Sequence, residues 1–124
     1  MEASELRIGN LVYVSDNETN IIFKEITPIN IHNLMHLTGW DKSPIDIEFE
    51  PIPLTEEWLI KFGFKLNKLG NLCKSSNYQK RWITFKKYQD RWYLYLTHNP
   101  KCDYVHQLQN LYFALTGEEL TLKP

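Results

Sequence analysis

Nowhere in this chain do about 18 apolar residues run together, so the sequence offers no transmembrane helix. The opening stretch, MEASELRIGN, holds two acids and no apolar core, which predicts no secretory leader. Cysteine is scarce. Cys73 and Cys102 stand alone, without framework spacing, so reduced thiols in a cytoplasm are expected rather than a disulfide scaffold. Glycine is nearly as rare, with five residues, and none builds a phosphate-cradling loop. G-x-S-x-G, H-E-x-x-H and C-x-x-C are all missing, which argues against the familiar hydrolase, zinc-protease and dithiol chemistries. Internal repeats, low-complexity tracts and linkers are missing as well.

What remains is an ordinary globular composition over residues 1–124, expected as a single α+β domain, 43% hydrophobic and 23% charged. Aromatics are heavy at 14%, and such side chains serve both as core filling and as interface anchors. The net charge of −1 conceals a split. Residues 1–60 carry three bases against eleven acids, whereas residues 61–95 carry nine bases against Asp90 alone. Opposed lobes of this kind either steer partners or cancel one another within the fold.

Periodicity places the elements. Residues 6–14 (LRIGNLVYV) read as a strand interrupted at Gly9-Asn10, and residues 21–27 (IIFKEIT) as its hairpin partner. Such a hairpin is the usual opening of a small open barrel of the SH3-like kind. Pro28 argues against continuing that strand through a sheet interior. His32 and His36 stand four apart in an ambiguous stretch, but two imidazoles without a third ligand do not make a metal site. Residues 45–50 (IDIEFE) alternate as a half-exposed strand, with Asp46, Glu48 and Glu50 on its solvated side. A short helix over residues 56–62 follows, capped by Thr55, stopped by Gly63, and burying Trp58, Leu59 and Phe62. An irregular strand pair turns about Leu69-Gly70-Asn71. Residues 81–97 form a hairpin. If Tyr88 to Arg91 make its connection, paired positions sum to 179, and Phe85 faces Leu94. Ile83, Phe85, Trp92, Leu94 and Leu96 then face the core. Residues 98–102 read as a link. Residues 103–122 form the clearest helix, with Asp103 as cap, Gly117 as terminator, and Tyr104, Val105, Leu108, Leu111, Tyr112 and Leu115 within about a third of a turn. Antiparallel strands with one short central and one C-terminal helix define an α+β fold.

Three groups of side chains could carry function. On the nominally wet side of the last helix lie His106, Gln109, Asn110 and Phe113, the mixture of ring and amide that a partner surface shows. On the outer face of the hairpin, Lys80, Trp82, Lys86, Tyr88, Arg91, Tyr93 and Tyr95 interleave cations with rings, as single-stranded nucleic-acid binders do. The bland alternative is that a helix covers that face. Finally, His98, Cys102, Asp103 and His106 bring imidazole, thiol and carboxylate into nine residues. Pro100 breaks their helical alignment, and no glycine loop supplies an oxyanion site, so a helix cap and a packed thiol account for them.

The segments LRIGN (from Leu6), PIPLTEEWLIKFGF (from Pro51) and YVHQLQNLYFALTGEEL (from Tyr104) resemble a widespread group of small proteins found in Bacteroidetes genomes and their phages and prophages. That group has no established activity. The resemblance implies a host-facing or nucleic-acid-adjacent role, in the host cytoplasm if the gene is phage-borne. The first reading is therefore a non-enzymatic module whose protein partner docks on His106, Gln109, Asn110 and Phe113. Single-stranded nucleic-acid binding through the hairpin over residues 80–97 is the alternative. An enzyme using His106 with Cys102 or Asp103 is the second alternative. No cofactor, metal or membrane is expected in any of them.

Overall fold

The computed structural model describes residues 5–16, 25–37, 47–77, 80–95 and 100–122. The fold is α+β, with two antiparallel sheets and three helices among those residues. The chain divides into two compact units, Met1–Ile52 and Pro53–Pro124, and the division falls inside the Pro51-Ile-Pro-Leu stretch. No helix among the described residues is long and apolar enough to cross a membrane.

In the first unit, β1 (Leu11–Asp16) lies between β2 (Glu25–Pro28) and β3 (Ile47–Glu50), both antiparallel to it. The interruption at Gly9-Asn10 is a turn, not a bulge within one long strand. Gly9 sits at φ 95, a left-handed conformation that glycine reaches without a Cβ clash. Asn10 is buried, and its side-chain oxygen accepts from the Arg7 N–H at 2.6 Å, while its carbonyl accepts from the Ile29 N–H at 2.8 Å. Pro28 ends the edge strand β2 opposite Leu11, where a missing N–H costs the sheet nothing. Helix α1 (Ile31–Leu37) starts at Asn30. Asn30 and Asn33 cap one another, each side-chain oxygen accepting from the other's N–H at about 3.0 Å. Leu6, Val12 and Ile29 form a small core with Val14, Leu34 and Phe49 against it. Among the described residues the sheet is not closed, as in the small open barrel that the hairpin suggests. His32 is exposed on α1; the side chains of His36 and Glu48, and Asp46 entirely, lie outside the described residues.

The second unit holds helix α2 (Glu56–Lys61), then β4 (Lys65–Leu66), β5 (Leu72–Ser75), β6 (Trp82–Tyr88), β7 (Arg91–Leu94) and β8 (Lys101–Cys102) in one sheet of that order. Helix α3 (Val105–Thr116) closes it. Thr55 caps α2 by accepting from the Trp58 N–H, and Gly63 at φ 96 turns the chain away. Asn67 builds the β4–β5 turn, its side-chain oxygen accepting from the N–H groups of Leu69 and Asn71 at 2.9 Å. The β6–β7 register is the expected one: Phe85 faces Leu94, Lys86 faces Tyr93 and Tyr88 faces Arg91. Ile83, Phe85, Trp92 and Leu94 are buried, while Leu96 lies outside the described residues. The core joins the sheet to α3 through Phe64, whose ring meets Phe85 at 5.7 Å and Tyr112 at 6.4 Å, both edge-on.

Two expectations change. Residues 101–102 are not a link but a fifth strand, with Cys102 opposite Trp92 and Lys101 opposite Tyr93. Asp103 does not cap α3. Tyr104 occupies the cap, the Gln107 side chain accepts from the N–H groups of Asp103 and Tyr104, and the Asp103 carboxylate turns to Arg91. Gly117 ends α3 in the left-handed region as expected, at Thr116 rather than Leu122.

Truncating the ring that links sheet and helix, Phe64→Ala, should cost about 3–5 kcal/mol in denaturant unfolding. The hairpin tip makes the opposite prediction. Gln89 and Asp90 both hold positive φ, 49 and 63, the geometry that Asn-Gly adopts most readily. Replacing the pair by Asn-Gly should raise unfolding stability by about 1 kcal/mol.

Candidate functional site

Residues paired across an antiparallel ladder share a face, so the register alone sorts the five-stranded sheet into two sides. Lys65, Cys73 and Thr84 stand in one row, extended to Tyr95 by its N–H donating to the Thr84 carbonyl at 2.8 Å. Lys86, Tyr93 and Lys101 form the next row, Tyr88 and Arg91 the third, and Ser75 and Trp82 the fourth. This side faces away from Ile83, Phe85 and Leu94, and its rings are open. Trp82, Tyr88 and Tyr95 are 67%, 63% and 64% exposed. Tyr93 is half-buried between its lysine neighbours, and the Lys86 ammonium lies 5.3 Å from the centre of the Tyr95 ring. About 20 Å of strand separates Trp82 from Tyr88 at 3.3 Å per residue.

Charge on this face is one-sided. None of the five strands contains Asp or Glu. The carboxylate beside them, Asp103, is held by Arg91 in a two-pronged pair at 3.1 and 3.0 Å. That hydrogen bond raises the guanidinium pKa above its ordinary value, with the carboxylate's charge adding to it. Arg91 therefore spends its charge locally, and the open cations of the face are Lys65, Lys86 and Lys101. Lys80 is exposed just before β6 at φ 52, and Arg81 is turned to the Leu115 carbonyl at the end of α3. The second unit as a whole carries eleven bases and six acids, the first three bases and nine acids.

Compared with known proteins, the chain matches no family model, no curated sequence and no solved structure.

The strip on α3 is placed differently from the sequence reading. His106 and Gln109 are 1% and 4% exposed, Asn110 is half-buried, and Phe113 is 38% exposed. The reason is where the buried arc lies. Val105, His106, Leu108, Gln109, Tyr112 and Thr116 are all buried, and at about 100° per residue they span about 160° of the helix, centred about 80° away from the arc that its apolar residues mark, so that Tyr104 is exposed and Leu111 and Leu115 are half-buried. His106 stacks on Tyr104, ring centres 5.8 Å apart and nearly parallel. The strip is thus not a bare face: its N-terminal half is interior, and Phe113 alone of its four residues is open.

The thiol, imidazole and carboxylate cluster disperses. His98 lies outside the described residues, Asp103 is engaged by Arg91, and Cys102 is sealed on the core side of β8. Burial pushes the Cys102 thiol up to about 12, with the Asp103 charge adding to it, the reverse of what a nucleophilic cysteine needs. Among the described residues no three His, Cys, Asp or Glu side chains gather as metal ligands. Lys65, Cys73 and Lys101 belong to the open face and were not among its expected members. Their strands are two to four residues long, too short for periodicity to register.

The two thiols should separate cleanly. Iodoacetamide on the native chain near neutral pH is expected to add once, at Cys73, by intact mass and peptide mapping, and a second time only after unfolding. The folded chain holds the Cys102 proton more tightly than the unfolded chain does. This contribution to stability is therefore complete below the ordinary thiol value of 9.0 and is lost as pH rises toward about 12. Denaturant midpoints measured across that range should fall for the parent and fall less for Cys102→Ala.

Proposed function

We propose that this protein binds single-stranded nucleic acid across the outer face of the β4–β8 sheet. The observation that carries the reading is the pairing of three open rings, Trp82, Tyr88 and Tyr95, with lysines on a sheet whose strands contain no acid. A base presents a π-face whatever its identity, and each one stacked on a ring contributes about 1–3 kcal/mol. Phosphates between bases meet Lys65, Lys86 and Lys101 on the same side. The Arg91–Asp103 pair removes the carboxylate that would otherwise repel the backbone. Such a function calls for no cofactor and suits a cytoplasmic protein, in the host's cytoplasm if the gene is phage-borne.

Docking of a protein partner on α3 is the weaker reading, because His106 and Gln109 are interior and only Phe113 and part of Asn110 are left to meet another molecule.

Fluorescence anisotropy with a short labelled single strand tests the proposal on the whole chain. Affinity should fall linearly with log salt, by about 0.7 per phosphate contacted. Trp82→Ala should weaken binding by about 1–3 kcal/mol, and Lys86→Ala should reduce the salt slope by about the share of one contact. Phe113→Ala should change neither. Binding that ignores both salt and Trp82, or that disappears with Phe113, would overturn it in favour of the helix.

A further inference from the structure

At one end of the open face, where β4 and β5 meet β6, the surface sinks into a groove of about 340 Å³. That lies at the lower end of small-ligand pockets, which run from about 300 to 1,000 Å³. Trp82 forms one wall, and Lys65, Cys73 and Ser75, which share its side of the sheet, lie along the others together with Lys74 and Asn67. Among the described residues no carboxylate lines it. Lys65 and an open indole therefore share one side of a space sized for one small planar ligand, while Lys74 pairs with buried Ile83 and belongs to the other face. Asn67 adds a donor: its side-chain oxygen is committed to the Leu69 and Asn71 N–H groups, so the end left to meet a ligand is the NH2.

We infer that this groove is a subsite for a single nucleotide, its base against Trp82 and its phosphate at Lys65. The inference rests on the reading of the sheet as a nucleic-acid surface and sharpens it. The rings of Tyr88 and Tyr95 stack bases on an open plane, whereas the groove encloses one and so fixes where a bound strand starts or ends. The occupant is anionic and aromatic at once. A bare anion leaves the indole unused, and an uncharged ring leaves Lys65 uncompensated.

Cys73 makes the idea testable without disturbing the fold, since it lines the groove while Cys102 is sealed in the core. The rate of N-ethylmaleimide addition to Cys73 is measured by mass on the full chain, with uridine 5′-monophosphate, inorganic phosphate or uridine as competitor. The nucleotide, present at about ten times its Kd, should slow addition about tenfold, and phosphate or uridine at that concentration much less. Tryptophan quenching by the nucleotide should be lost in Trp82→Ala and in the maleimide adduct. An unchanged rate with nucleotide present overturns the inference. Protection by phosphate equal to that by nucleotide also overturns it and leaves only an anion site. If the adduct still binds oligonucleotide with the parent's affinity and salt slope, the groove is not part of the path while the sheet reading stands. If nucleotide protects Cys73 but no oligonucleotide binds, the groove stands and the sheet reading falls.

Discussion

A two-residue connection at Gln89-Asp90 sets the register of β6 on β7, and that register decides the inside and outside of the second unit. In an antiparallel ladder a slip of one residue exchanges every side chain of the slipped strand between faces. Here a slip of β6 on β7 would put Trp82, Thr84 and Lys86 into the core and expel Ile83 and Phe85. The cost of expelling two such side chains, at about 1.5–3 kcal/mol each, exceeds any strain in the turn. That is why the turn accepts two left-handed residues without glycine: the strands impose it. From this pairing the rest propagates. Leu72 is brought opposite Phe85, Cys102 opposite Trp92, and Phe64 is left to bridge the sheet to Tyr112.

Electrostatics follow the same geometry. Arg91 and Asp103 extend the β7–β8 ladder by one more cross-strand position, and their two-pronged hydrogen bond closes the sheet at the point where the chain leaves for α3. Exposed as it is, the pair is worth little as a stabilising contact. Its effect is on the map of charge. It converts an arginine and an aspartate into a neutral margin beside Lys65, Lys86 and Lys101.

Much of this was legible in the amino acids. The β6–β7 pairing, the α2 helix with Thr55 and Gly63 at its ends, the turn about Leu69-Gly70-Asn71 and the Gly117 terminator all follow from local chemistry, in which turn and cap residues have fixed positions relative to an apolar period. What was not legible has three physical sources. Strands of two residues, β4 and β8, carry no period and exist only because a neighbouring strand supplies the ladder. The α3 helix buries polar His106, Gln109 and Thr116 beside Val105 and Tyr112, while Leu111 and Leu115 stay half-buried, so its interior arc is turned away from its apolar one. Hydrophobic periodicity reports only the apolar arc. Asp103 is a third case. An acid just before a helix reads as a cap, but Arg91 across the ladder offers it a charged partner, which outweighs a backbone N–H.

The brevity of β4 and β8 has a consequence of its own. An open rim of backbone donors and acceptors invites other chains to add strands, and long, flat rims are where such proteins gel or polymerise. Each margin of this sheet presents a ladder only two residues long, too little to template a stranger. The broad side can therefore display indole and phenol rings to solvent while the sheet remains finite.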